Sequence, residues 1–492
     1  MKLVVFSATF SPRLSTALRR LGRFLRVRPA ALALLTLLPV AAMLGAAAKP
    51  NIVYIMADDM GYGELGCYGQ TKIKTPNLDR MAAEGTRFTD VYAGAPVCAP
   101  CRCVLMTGKH TGHAYVRSNG GDYNLPRSEV TVAEVLHGAG YTNGFVGKWS
   151  LGDVGSASTP LKRGFDYAFG FYNQSAAHAQ YPETMDENDQ AIALAENAGG
   201  KRGAYAHDLM TDRAFSFVRR SKDRPFFLYL AYTLPHAEIL VPEDSLAPYR
   251  GKFPEKPFEN NGTGYASQSE PNAAVAGMIS RLDRDVGRLL ALLQELGLEE
   301  NTLVCFTSDN GPVSVGGRDY EFFNGAGPLR GRKGGLYDGG IREPMIVRWP
   351  SHVPAGKTSD VPWYFADVLP TLAELGGGTP PAGIDGVSVL PTLLGREQPT
   401  LRSRFMYWEY PAGGFRQAAR RGDWKVQRSG LDGPLELFNL REDIGEKNNV
   451  AAAHPDIVAQ FDAFLKTARV ESREYPSSGD RPRKNKKEGR KK

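Results

Sequence analysis

The sequence predicts an α/β fold: a large, mostly parallel central sheet flanked by helices, followed by a smaller C-terminal α+β domain. Three observations predict it. Short apolar runs at Asn51–Met56, Thr142–Val146, Phe226–Tyr232, Leu303–Thr307 and Met345–Trp349 alternate with stretches of helical periodicity, the pattern of strand–helix units. The first four runs end in polar or glycine-rich residues, as strands do where they open into loops. Gly376-Gly-Gly-Thr-Pro-Pro381 then marks a linker, after which strand candidates become short and closely spaced.

Charge narrows the class of partners. The 492 residues carry a formal net charge of +7, but residues 1–48 hold seven basic side chains and no acid, and residues 479–492 hold eight basic and two acidic ones. Removing the +7 lead and the +6 tail leaves the body at −6, so a basic nucleic-acid surface has no support there. An arginine-rich lead, an uncharged apolar run from Pro29 to Ala48 and a small-residue end at Ala46–Ala48 predict a secretory signal peptide over 1–48. The protein is therefore expected to be exported, periplasmic or extracellular, with no stable membrane span after cleavage. A single transmembrane anchor is the alternative. Five cysteines (67, 98, 101, 103 and 305) are too few and odd in number for a disulfide framework, which points to a special thiol.

Taken in order, Asn51–Met56 runs into Ala57-Asp58-Asp59-Met60-Gly61, two adjacent carboxylates at a strand end that suit a hard divalent cation or cap the next element. A helix is expected over Leu78–Glu84. Cys98-Ala-Pro-Cys-Arg102 describes a turn feeding a helix, with a cysteine at the helix's positive end and a guanidinium close by, a place for an anion. The same letters contain Cys-x-x-Cys-x-Cys, which leaves a metal or redox reading open. A helix over Thr131–His137 precedes the strand Thr142–Val146, which ends in Gly147-Lys148-Trp149-Ser150-Leu151-Gly152. Residues Gly155–Arg202 are irregular and polar and are expected to form a long surface insertion. A helix from about Ala204 to Arg220 leads to Phe226–Tyr232, beyond which stands His236. A loop over 242–272, a helix from about Ala273 to Leu296 and the strand Leu303–Thr307 bring Asp309 and Asn310. The glycine-rich basic stretch 328–342 carries Lys333 and leads into Met345–Trp349. A helix over Val361–Glu374 closes the first domain, expected as 49–375. The second, 376–475, holds strand candidates at Arg404–Tyr410, Trp424–Gln427 and Leu435–Asn439 and a helix at about Pro455–Arg469, before a basic disordered tail at 476–492.

In a parallel α/β sheet the C-terminal strand ends gather at one crevice, which would bring Asp58, Asp59, Lys148, His236, Asp309 and Asn310 toward Cys98. With these motifs in this order, the chain resembles the type I sulfatases of the alkaline phosphatase superfamily over roughly Asn51 to Pro350. The resemblance implies that a separate maturation enzyme oxidises Cys98 to formylglycine. It implies that Asp58, Asp59, Asp309 and Asn310 hold Ca²⁺, with Mg²⁺ as the alternative. By the same likeness Arg102, Lys148 and Lys333 hold the sulfate and formylglycine oxygens, and His236 protonates the leaving alcohol. The substrate class implied is a sulfated glycan or a small aryl sulfate; Tyr172, Tyr181, Tyr249 and Trp408 are candidates to stack sugars or simply to pack.

The sequence departs from the family pattern twice. Cys101 stands where serine is usual, and Ser150 replaces the histidine of Gly-Lys-Trp-His-Leu-Gly. A serine is a poor base near neutrality, so either His110, His113 or His178 substitutes, turnover is slow, or the protein is a catalytically impaired sulfated-glycan binder. A phosphate ester hydrolase of the same superfamily, using unmodified Cys98, is a further alternative.

Overall fold

In chain order the elements are β1 (Asn51–Ala57), α1 (Pro76–Ala83), β2 (Thr86–Tyr92), α2 (Cys98–Thr107), α3 (Val132–Gly138), β3 (Thr142–Lys148), β4 (Tyr167–Phe171), β5 (Thr184–Glu187), β6 (Gln190–Ala193), α4 (Ala206–Ser221), β7 (Phe226–Ala231), α5 (Pro271–Glu295), β8 (Thr302–Ser308), β9 (Arg342–Arg348), β10 (Lys357–Ser359), β11 (Trp363–Tyr364), α6 (Val368–Gly376), β12 (Met406–Tyr410), β13 (Arg416–Arg421), β14 (Trp424–Ser429), β15 (Glu436–Asn439) and α7 (Pro455–Thr467). The computed structural model describes residues 49–478 except 261 and 263. The expected signal peptide, and the part of the basic tail beyond residue 478, lie outside the described residues.

Strand β1 sits inside the large sheet, whose order is β10-β2-β9-β8-β1-β7-β3-β4-β5-β6, with β11 also paired to β2. The run β8-β1-β7-β3-β4 is parallel throughout, while β9 is antiparallel to both β8 and β2. The continuous apolar runs follow from burial on both faces. Ile52, Tyr54 and Met56 enter one core with Phe227, Tyr229 and Leu303, and Val53, Ile55 and Ala57 enter the other with Phe226, Leu228 and Val304. Helices α2, α3 and α6 cover the first face, and α4 and α5 the second. Helix α3 starts where its capping box predicts: Thr131 Oγ1 accepts from Glu134 N (3.1 Å), and Glu134 Oε2 accepts from Thr131 N (2.8 Å).

Several expectations need correction. Residues 155–202 are not merely a surface insertion, because β4 joins the main sheet parallel to β3, with Phe169 and Phe171 in one core and Ala168 in the other. Five residues between polar segments are too short a run to show this periodicity. The helix expected over Val361–Glu374 begins only at Val368. Trp363 and Tyr364 instead pair with β2, and Asp367 accepts from Tyr364 N at 3.0 Å and pairs with Arg404. Strands β2 and β13 had no apolar signature, because their charged side chains are paired across strands: Asp90 of β2 receives Arg342 of β9 (2.8 Å) and Arg420 of β13 (2.6 Å).

The second sheet, β12-β13-β14-β15, is antiparallel and builds a small core with α7 from Tyr407, Ala419, Val426, Leu437, Phe461 and Leu465. Before it, Val389, Leu393 and Leu401 pack into the first core. Among the described residues no helix is long and apolar enough to cross a membrane.

Gly147, just before the site lysine, is required by geometry. Its φ is 124°, and a Cβ there would lie 1.9 Å from the carbonyl oxygen of Ala231 on β7. Gly147→Ala is therefore expected to destabilise the protein by about 3 kcal/mol or more. Chemical denaturation checks this; an unchanged midpoint would show that β3 and β7 can part without cost.

Candidate active site

Parallel register brings the site residues together. Ala57 of β1 is level with Ser308 of β8, so the next residues, Asp58 and Asp309, emerge side by side. Met56 is level with Ala231 of β7, and Ala231 with Gly147 of β3, which carries His236 and Lys148 to the same end. Backbone bonds hold the turn: Asp58 N donates to Leu234 O (3.1 Å), Asp309 N to Ala57 O (3.2 Å), and Asp59 N to Asp309 Oδ1 (3.1 Å). Asp59 takes a positive φ of 64° in that turn.

Cys98 is the first residue of α2, as its motif predicts, and is fully buried. Its Sγ lies 3.4 Å from Asp58 Oδ1 and 3.3 Å from Lys333 Nζ. Lys333 Nζ also donates to Asp59 Oδ1 (2.5 Å), and Lys148 Nζ to Asp58 Oδ2 (2.7 Å). One helical turn beyond Cys98, Arg102 donates through Nη2 to Asp309 Oδ2 (2.7 Å) and Asp58 Oδ2 (3.3 Å), and through Nη1 to Lys148 O (2.6 Å). Asn310 Nδ2 donates to Asp59 Oδ1 (2.7 Å). Thus Cys98, Arg102, Lys148, His236, Lys333, Asp58, Asp59, Asp309 and Asn310 converge on one buried cluster.

The charges respond to one another. Burial raises the Asp58 carboxyl, but Lys148, His236, Arg102 and Lys333 outweigh it and hold the group well below its usual range. Asp309 goes the other way: burial and the neighbouring Asp58 charge push it up to about 6. Burial and Asp58 push the Cys98 thiol up to about 12. Burial, with Lys148 and Lys333, brings His236 down to about 3 despite Asp59 and Asp58. That neutral ring has a defined tautomer, because its Nδ1 faces Ala237 O at 2.5 Å and must donate, leaving the lone pair on Nε2.

The donor set fits a hard divalent cation. Oxygen donors from Asp58, Asp59, Asp309 and Asn310 are of the type such ions take, and ligand atoms of Asp58, Asp59, Cys98 and His236 lie within 4.8 Å of one another. Asp59 Oδ2 and Asn310 Oδ1 are buried and receive no hydrogen bond; His236 Nε2, 3.5 Å from Asp59 Oδ2, carries a lone pair and cannot donate to it. Buried oxygens of this kind are costly unless something supplies positive charge.

A cysteine metal module does not form. Cys101 faces the backbone of Gly94 and Ala95, Cys103 that of Val116 and Tyr115, and all five cysteines are free. Of the histidines weighed as substitutes for the missing one, His110 and His113 stack on each other (4.6 Å) and face Asp385. Gly112 N donates to His110 Nδ1, so the other ring nitrogen carries the proton toward Asp385, a hydrogen-bonded clasp. His178 instead lies against His236, the rings tilted by 34° with centroids 4.6 Å apart, and feels the charges of Lys148, Asp58, Lys333 and Asp59. Ser150 is buried at φ 60°, and its hydroxyl has no partner.

Three further neighbours stand outside the motifs read from the sequence. Glu343 is buried with both carboxylate oxygens unpartnered, and burial, then Asp309, Asp59 and Glu64, raise it well above the carboxylate range. Tyr265 stacks on His178 (5.9 Å), and Tyr410 of β12 lies within the field of Lys333 and Cys98. Of the expected sugar-stacking aromatics, Tyr172, Tyr249 and Trp408 are buried and Tyr181 packs against Tyr205, so these four serve packing. An acidic residue at the start of a strand, just after a glycine-rich stretch, is the signal that could have drawn attention to Glu343.

Comparison with known proteins agrees with this geometry. The profile described as Sulfatase matches residues 50–378, and that described as N-sulphoglucosamine sulphohydrolase, C-terminal, matches residues 332–471. Arylsulfatase A of Homo sapiens is 36% identical, spanning 86% of this chain and 88% of its own. N-acetylgalactosamine-6-O-sulfatase of Bacteroides thetaiotaomicron is 30% identical, over 86% and 93%. The crystal structure of Ps i-CgsB in complex with k-i-k-neocarrahexaose superposes with a TM-score of 0.71 at 29% identity, over 85% of this chain and 93% of that one.

A thiol pushed up to about 12 is protonated below that pH. At pH 8 about one Cys98 side chain in 10⁴ is a thiolate. In protein whose residue 98 is still cysteine, iodoacetamide is expected to leave that residue unlabelled at pH 8 while labelling a free cysteine standard. Mass spectrometry checks it; labelling of Cys98 at the standard's rate would contradict the geometry.

Proposed function

The chain belongs to the sulfatase family and is a sulfuric ester hydrolase, and from that premise we propose that it removes sulfate from a glycan outside the cytoplasm, with residue 98 matured from Cys98 to formylglycine. The observation that carries the reading is the convergence of three carboxylates, an asparagine and three cationic side chains on a cysteine too weakly acidic to act as a thiolate. Glycan is the substrate class that the names of the relatives and of the structural neighbour's ligand support. Asp58, Asp59, Asp309 and Asn310 are the proposed Ca²⁺ ligands, with Mg²⁺ as the alternative, and a separate maturation enzyme is the proposed partner.

Formylglycine, with a divalent ion beside it, supplies a hydrated aldehyde whose oxygen can attack sulfur and later release sulfate. The chain's own residues do the rest. Lys333, at Cys98 Sγ, and Lys148, on the Asp58 carboxylate that also meets that sulfur, offer ammonium donors to the negative charge of the ester. Arg102 is a positioning residue, because its guanidinium is committed to Asp58, Asp309 and the Lys148 carbonyl. His236 faces the cluster with a bare Nε2, so the proton it gives to a leaving alcohol must arrive once an anionic substrate has offset Lys148 and Lys333. His178, whose ring lies tilted against it at 4.6 Å, is the imidazole that would take over the task of the histidine replaced by Ser150.

Two outcomes test these roles. His236→Ala is expected to slow sulfate release from sugar alcohols by about 10²- to 10³-fold, and far less from 4-nitrophenyl sulfate, whose leaving group needs no proton. Equal losses on both esters would remove the acid role. His178→Ala is expected to give a burst of one equivalent of alcohol followed by slow sulfate release; unaltered steady turnover would show that no second imidazole is needed. Mass spectrometry of the peptide containing residue 98, from active natively expressed protein, decides the maturation itself, since cysteine there would overturn it.

A further inference from the structure

Beside the reacting position lies a groove of about 480 Å³, a volume usual for ligand sites, that the reaction proposed above does not use. Lys333, whose Nζ is 3.3 Å from Cys98 Sγ, forms its inner wall, and Tyr410, Gly413 and Arg416 of the second sheet's first hairpin form its outer one. Tyr410 and Arg416 face each other across β12 and β13, with the Arg416 guanidinium 5.1 Å from the centre of the tyrosine ring. Its Nη2 donates to Ala412 O (2.9 Å), while Nε is buried without a partner. No carboxylate among the described residues is bonded to it, whereas buried Arg117, Arg318 and Arg342 are each paired with one. The acid lining the groove's continuation with Arg416, Glu436, is taken up by Tyr337 (2.9 Å) and Gln427 (2.6 Å). Burial weakens the guanidinium's hold on its proton, and the Tyr410 hydroxyl supplies the only offset. A half-buried cation without a counter-charge, lining the same groove as the lysine that touches Cys98, is a site that an anion completes.

We propose that Arg416 binds a second anionic group of the substrate, a carboxylate or a further sulfate carried near the sulfate that faces residue 98, and so makes the enzyme selective for multiply charged glycans. The proposal rests on the sulfatase reading of the site and deepens it.

Binding to the full-length chain carrying Cys98→Ala, which consumes no probe, tests it by calorimetry. The probes are a disaccharide with one sulfate, the same disaccharide with a uronic carboxylate on the adjacent sugar, and the same with a second sulfate there. At least one doubly charged probe is expected to bind about 10- to 100-fold tighter than the singly charged one, and which of them does so separates carboxylate from sulfate. Adding Arg416→Gln is expected to shrink that advantage to about twofold or less while leaving the singly charged probe unaffected. Equal affinity of all three probes for the Cys98→Ala chain overturns the proposal, even if the Arg416 variant does not fold. So does an advantage that survives Arg416→Gln, or an equal weakening of every probe. Sulfate release by the matured protein is scored separately: selective binding without release would refute hydrolysis and leave the subsite standing, and release without selectivity would refute the subsite alone.

Discussion

The Asp58 carboxylate is the group on which the rest of the site depends. It receives Lys148 and Arg102 on one oxygen and the Cys98 sulfur on the other, all without solvent. A carboxylate buried alone would cost several kcal/mol, and its partners would cost as much without it, so the cluster forms as a unit. Each group arrives on a different element: Asp58 just after β1, Lys148 on β3, Arg102 on α2, and Asp309, which Arg102 also holds, after β8. The register of the parallel strands is thereby tied to the chemistry.

The same constraint explains the electrostatic contrasts. Asp58 lies among more positive charge than its burial can offset and stays ionised; Asp309 has Asp58 as its neighbour and is pushed the opposite way. A thiol in that surrounding cannot ionise, since burial and Asp58 oppose the second negative charge. An aldehyde hydrate at residue 98 would answer that difficulty, because its oxygens need not carry a full charge until the ester and a cation are in place.

The second sheet is more than an appendage. Arg117, from the loop after α2, pairs with Glu409 of β12 (2.8 Å), and Trp408 Nε1 donates to Ala93 O (2.8 Å). Lys425 of β14 reaches Asp338 (2.6 Å) and Glu446 (2.8 Å), and Asp338 also receives Arg342 and Tyr92. Asp338 follows Lys333 by one short turn, so these buried bonds set the loop that brings the lysine to Cys98. They also carry Tyr410 and Arg416 to the groove that Lys333 lines, which makes the C-terminal sheet one of its walls.

By itself the sequence determined the parallel sheet and which polar residues gather at its strand ends. Asn51–Met56, Phe226–Tyr232 and Leu303–Thr307 are apolar on both faces, and Asp58, Cys98, Lys148, His236, Asp309 and Lys333 stand in motifs whose order identifies the family. Strands β2, β4 and β13 were not legible, because Asp90, Arg342 and Arg420 look solvated in sequence until each finds its partner across the sheet, and because β4 is too short to show a period. Nor could the sequence tell Tyr172 and Trp408, which pack, from Tyr265 and Tyr410, which face the site, since all four are aromatics in irregular or short segments. Tertiary structure alone decided that His178 lies against His236 while His110 and His113 clasp Asp385, that Arg102 serves two carboxylates, and that Arg416 lacks one. The physical reason is common to all of these: residue type sets what a side chain can do, but its charge state, exposure and partner are properties of the neighbours that distant segments bring to it.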